Sequence, residues 1–348
     1  MAGGGAGRRV GRSAPACAAP VAALTCAALV AALACAPAAA AGTVSRVGSI
    51  ALPGVKGQLD HMALDEAGQR LFVAALGNHT VEVVDLRTAR RVRSLTGFRE
   101  PQGLGFLPSP PRLFVACGGD GRVAVLDAES FQPLRDLRLG HDADNVRVDD
   151  AARRVIVGFG AGGLAVLDAA SGDSVATIAL AAHPEAFECE EEGPRIFVNV
   201  PESHEVTVVD RDLGRAVGHW PLEGSGANFP MAFDRVGSRL FLGCRRPAEL
   251  VVLSTATGGR LDSVATEGDV DDLAYDVRSH TLLASCGAGF LDVIDVPIAG
   301  GLHVRARIPT ESGARTSLLD AARGRLYLAV PAQPGRPAEI RIYELARE

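Results

Sequence analysis

The sequence predicts an all-β chain built as one ring of seven small sheets, on three observations. An apolar run centred on Phe72 returns at Phe114, Ile156, Phe197, Phe241, Leu283 and Tyr327, at spacings of 41 to 44 residues. A second run recurs in step with it and ends at Asp85, Asp127, Asp168, Asp210, Ser254, Asp295 and Glu344. The last copy stops just after that run, while a spare strand, Arg46-Val47-Gly48-Ser49-Ile50, precedes the first copy. Seven copies with four short strands each are the pattern of a seven-bladed β-propeller, because one blade cannot bury its own faces and must stack on its neighbours. The spare strand is expected to complete blade seven against residues 339–344 and to leave no open sheet edge.

Taken in order, residues 1–41 read as a Sec-type signal peptide. Arg8, Arg9 and Arg12 precede the apolar stretch Val21–Ala34, and the alanines up to Ala41 offer small-residue cleavage sites. Arg8-Arg9 is a weak twin-arginine pattern, and Leu33-Ala34-Cys35 a shifted lipid-attachment pattern. No other stretch reaches the ~18 apolar residues of a membrane span. The propeller is assigned to residues 43–348, and the expected location is periplasmic or secreted.

Blade one shows how each strand is specified. Met62-Ala63-Leu64 ends at Asp65 and the Gly68 turn; Leu71-Phe72-Val73 ends at Gly77-Asn78; Val81-Glu82-Val83-Val84 ends at Asp85; Arg91-Val92-Arg93-Ser94-Leu95 alternates in polarity. Short apolar or alternating runs split by Gly, Asn and Asp are strand and hairpin signals. Hydrophobic residues make up 47% of the chain, enough for a core in every blade interface.

Removing the three leader arginines and no acid takes the formal charge from −6 to −9, which does not suit a nucleic-acid partner. A single Lys, Lys56, stands against 34 Arg, a bias from which no function follows. Four cysteines lie outside the leader, and Cys117, Cys244 and Cys286 each fall three residues after their blade's anchor. Such equivalent positions predict buried thiols far apart rather than disulfides. The absence of C-x-x-C-H excludes covalent c-type haem.

In a propeller the first strand of each blade lines the central channel and starts at the face termed the top here. Ahead of these strands stand Asp60-His61, Gln102, Asp144-Asn145, His183 and Glu185, Asn228, Asp271-Asp272 and Arg315. Asp60, Asp144, Glu185, Asp271 and Arg315 all lie twelve residues before their anchors, so they are expected to converge on the axis. The turns Asn78-His79, Asp120, His204 and Arg245-Arg246 return to the same face. Paired arginines there suit a carboxylate or phosphate. Asp60, Asn145, Glu185, Asp271 and Asp272 form an oxygen set suited to a hard cation such as Ca²⁺. Asp and Asn at such points also cap turns by accepting backbone N–H bonds, and this is the simpler reading of several of them.

The stretch LFVAALGNHTVEVVD, residues 71–85, resembles the repeat of the YVTN-repeat β-propeller family, with Ala74-Ala75 where Thr-Asn would stand. The resemblance implies an exported seven-bladed propeller. Related propellers resemble amine dehydrogenase heavy chains or metal-dependent lyases and lactonases. The functions to weigh are a module that binds a small polar or anionic ligand or a protein partner at the top mouth, a metal-dependent lyase or hydrolase with His61 as general base, and a subunit of a periplasmic redox complex. A closed ring without free edges fits a monomer.

Overall fold

The computed structural model describes residues 44–298 and 300–346, together with Met1 and Gly3; the proposed leader lies outside the described residues. Among the described residues, 28 strands fall into seven antiparallel four-stranded sheets. Blade one is Met62–Asp65, Arg70–Ala75, Thr80–Asp85 and Arg90–Leu95, each paired with the next. The same order repeats through blade six. In blade seven the outer strand is Val44–Leu52, which pairs antiparallel with Ala338–Leu345, including Arg46 opposite Tyr343 and Ile50 opposite Ile340. Neighbouring first strands touch in cyclic order, and Ser317–Asp320 of blade seven meets Met62–Asp65 of blade one. The ring is therefore closed by the strand that precedes the first repeat.

The core is not one mass. It is divided into seven apolar clusters, one for each contact between adjacent blades. The repeat anchors explain the division. Phe72 faces blade two, Phe114 blade three, Ile156 blade four, and so on to Tyr327, which packs with Leu59 and Met62 of blade one. Burying one such side chain contributes roughly 1.5–3 kcal/mol.

An arginine at the start of the second strand adds a polar link across several of these contacts. Arg70 donates from Nη1 to the Ala128 carbonyl of blade two at 2.6 Å, Arg195 to Thr255 of blade five at 2.6 Å, and Arg239 to Pro297 of blade six at 3.2 Å. Asp65, Glu190 and Asp234 pair with the same three guanidinium groups. Each guanidinium also lies over its own blade's anchor ring, at 5.0–5.6 Å from the centroid. This lets an ion pair sit at the edge of an apolar contact with its donors used.

Cys117, Cys244 and Cys286 are free and fully buried, and Cys189 is free and half-buried. Burial pushes the Cys117 thiol up to about 11 and the Cys244 thiol up to about 12, so neither is a reactive thiolate. Trp220 packs on Phe197 with ring centroids 5.4 Å apart, as a blade-packing residue. No helix among the described residues is long and apolar enough to cross a membrane.

Removing residues 44–52 should leave the Ala338–Leu345 strand as an open edge. The expected outcome is a loss of the cooperative thermal transition seen by circular dichroism. A sharp transition within a few degrees of the full chain would refute closure by this strand.

Candidate functional site

The local backbone explains why polar side chains gather at the top mouth. In blades two, three, five and six the residue two positions ahead of the first-strand ring residue takes a left-handed conformation: Glu100, Asp142, Ala227 and Asp269, with φ of 52°, 50°, 52° and 59°. Few non-glycine residues adopt it. In three of these blades its carbonyl is held by an N–H from the second strand's end in the same blade, from Gly118 to Glu100 at 2.9 Å, Gly160 to Asp142 at 3.0 Å and Gly287 to Asp269 at 2.8 Å. A β-bulge follows in each of these first strands and re-aims the residues at its top. Gly118 leaves room for the Gln102 side chain, whose Oε1 occupies the place a Cβ at 118 would take.

The first strands, converging on one axis, bring the register-equivalent residues together. Asp60, Asp144, Glu185 and Asp271 come from blades one, three, four and six, yet they act on one another electrostatically. Asp271 is enclosed by two arginines. Arg315 Nε lies 2.8 Å from its Oδ2, and Arg245 Nη2 contacts its Oδ1. Both arginines also reach Asp269, at 3.1 and 3.4 Å. Arg245 further donates to the Val270 carbonyl at 2.9 Å and lies 3.9 Å above the Phe229 ring. His61 stands 3.8 Å from both Asp60 Oδ1 and Asp272 Oδ2.

The charges do not balance over the whole mouth. Burial pushes the Asp60 carboxyl up to about 8, against the pull of His61, and Asp144 and Asp271 add to the rise. Burial, with Asp144 and Asp271, pushes Glu185 to about 9. Burial also raises Asp144, against His61 and His183. Asp271 reaches about 6 because burial outweighs its two arginines. His61 moves the other way from a usual buried imidazole. Burial opposes its charge, but Asp272, Asp60 and Asp144 outweigh that and hold it at about 10. The carboxylates around His61 thus favour its protonated form, which donates a proton more readily than it accepts one.

Three buried oxygens at this end lack any donor among the described residues: Asp144 Oδ1, Asn145 Oδ1 and Asn228 Oδ1. Their residues are 7%, 2% and 0% exposed. Unsatisfied buried acceptors cost about 1–3 kcal/mol each. The Asn228 amide is otherwise structural, donating to Asn199 Oδ1 at 2.9 Å and to the Glu205 carbonyl at 3.0 Å across blades four and five. His183 lies outside the ring, its Nδ1 2.6 Å from the Gly160 carbonyl and 3.6 Å from Asp142. Asp272 accepts the Ser317 N–H at 2.8 Å. With Asp271 and Asp272 already engaged, two of the five oxygen residues suited to a cation have partners. Among the described residues no group of three or more His, Cys, Asp or Glu is arranged to hold a metal ion.

Phe229 is the ring residue that a search for polar groups overlooks. It lies twelve residues before Phe241, the same interval as for Asp60 and Phe72. Below the ring, a channel of about 480 Å³ runs along the first strands, from His61 and Asp272 past Leu104, Met231 and Leu318 to Arg147, Glu188 and Arg235.

No protein-family model matches the sequence, and no curated protein matches it. The fold does match solved structures. A chain of a structure described as the Mitotic Checkpoint Complex aligns at a TM-score of 0.75 with 16% identity, over 93% of this chain and 99% of that one. A chain of Kuenenia stuttgartiensis hydrazine synthase aligns at 0.71 with 19% identity, over 84% and 99%. At these identities the likeness shows the propeller fold alone.

The raised carboxyl groups give a stability profile with a definite sign. A carboxyl whose folded pKa lies above its unfolded value stabilises below the unfolded value and loses that contribution as pH rises through the folded one. Asp60 and Glu185 therefore lose theirs up to about 8 and 9, and His61 loses its own between 6.5 and about 10. The melting temperature should fall steadily between about pH 6 and about pH 10. Asp60→Asn with Glu185→Gln should flatten that fall. A flat profile for the natural sequence would show that these groups are not buried as described.

Proposed function

We propose that the chain is an exported propeller of YVTN type that works as a binding module, with its top channel mouth taking a small cationic ligand rich in hydrogen-bond donors. The observation that carries this reading is the buried, donorless Asp144 Oδ1 beside the raised carboxyls of Asp60 and Glu185, with Asn145 Oδ1 and Asn228 Oδ1 also donorless at this end of the ring. An amine or guanidine brings N–H donors and positive charge together and meets both needs at once. An anion at the ring is disfavoured, since Arg245 and Arg315 are both committed to Asp269 and Asp271. A metal-dependent lyase would need a neutral His61 and free carboxylates at positions 271 and 272. The signal-like leader supports export, and the described residues offer no assembled nucleophile and base.

Binding a cation requires Asp60 or Glu185 to ionise, so it releases protons. Calorimetric titration with butylamine should show affinity rising with pH, by up to about tenfold per unit for one linked proton, between about pH 6 and about pH 8. Glu185→Gln and Asp144→Asn should each weaken it by at least about tenfold. Binding of butyrate but not butylamine would overturn the reading, as would amine binding that neither substitution alters. A response to Ca²⁺ alone, lost with chelator, would replace it with the metal site.

A further inference from the structure

Beside the ring, at the top of blades four and five, lies a separate pocket of about 400 Å³. It is lined by Pro201, Glu202, His204, Ala227, Phe229, Arg245 and Arg246. Two of these, Phe229 and Arg245, also belong to the mouth, so the pocket and the ring share a wall. Successive arginines on that wall have opposite fates. Arg245 is turned inward and spends its donors on Asp269, Asp271 and the Val270 carbonyl. Arg246 is exposed, and no carboxylate among the described residues pairs with it. His204 is held nearby in a left-handed conformation at φ 52°, its carbonyl accepting the Leu222 N–H. Glu202 is the one acid on this lining, and it makes no ion pair with Arg246.

We infer that the ligand is zwitterionic, an ω-amino acid or a peptide-like molecule, with its ammonium among Asp60, Asp144 and Glu185 and its carboxylate in the side pocket on Arg246 and His204. This rests on the cationic-ligand reading of the mouth and adds the second half of the molecule. Charge complementarity supports it on both sides. The ring has donorless acceptors, and the side pocket has a guanidinium with unspent donors, which favour a planar carboxylate. The Arg245–Asp271 pair separates the two and keeps the carboxylate from collapsing onto the ring's own cation. The half-buried Phe229 ring, on the shared wall, offers apolar surface to the methylene chain between the two charges.

The test is calorimetric titration of the full-length protein with γ-aminobutyrate and ε-aminocaproate, each beside the amine and the acid of equal chain length. At least one amino acid should bind about tenfold or more tighter than its matching amine. Arg246→Ala should abolish that advantage while leaving butylamine and hexylamine affinities unchanged, and Arg246→Lys should restore only part of it. Because Arg246 is exposed, a melting temperature equal to that of the natural sequence confirms an intact fold. If both amino acids bind no tighter than their amines, or if Arg246→Ala leaves the advantage intact, the zwitterion assignment is wrong while the mouth reading stands. If none of the amines or amino acids binds, both fall together.

Discussion

Every blade of this ring has two faces to cover, and only a neighbouring blade can cover them. That constraint governs the rest of the structure. It places one anchor side chain in each contact, divides the core into seven clusters, and makes the closing strand as necessary as any internal one. It also sets where function can lie. Seven first strands converge on one axis, so equivalent residues that are 41 to 44 positions apart in the chain become neighbours at the mouth. Outer-strand residues diverge, and exposed apolar side chains such as Val92 and Val175 are scattered there singly.

Convergence carries an electrostatic cost. Four carboxyl groups are brought into a partly dry mouth, where like charges repel far more than they do in water. The protein offsets this in two ways on two sides of the ring. Around blades five to seven, Arg245 and Arg315 grip Asp271 and Asp269, and the acid ionises at about 6. Around blades one, three and four His61 is the nearest positive group, and burial favours the protonated forms of Asp60 and Glu185. The first side is self-contained. The second favours protonated carboxyls, and under the proposed function an arriving cation would displace those protons.

The fold was legible because the constraint that makes it also repeats it. Anchor spacing, the turn after each third strand and the spare first strand all follow from stacking identical units. The convergence of Asp60, Asp144, Glu185, Asp271 and Arg315 was legible for the same reason. Phe229 occupies the same register but is apolar, so a search for polar residues passes over it. The second-strand arginines recur in register at positions 70, 112, 154, 195, 239 and 325, yet composition alone made them look like a general bias. Protonation was not legible at all. It depends on how much water reaches each carboxyl and on which oxygen an arginine touches, and bulges set both.

The pair Arg245-Arg246 shows why side-chain type is a poor guide to role at such a mouth. In sequence the two are interchangeable cations on one turn. In the fold one is stacked on Phe229 and paired to two acids, and the other is exposed at the side pocket that both line. A strand alternates its faces residue by residue, so neighbours point to opposite sides. The inward guanidinium pairs with Asp269 and Asp271, and the outward one is left with five donors to offer. Discrimination between ligands would then come from the distance between an acid set on the axis and a cation at its edge. Blade spacing fixes the separation of the two backbones, and the exposed Arg246 side chain supplies the remaining reach.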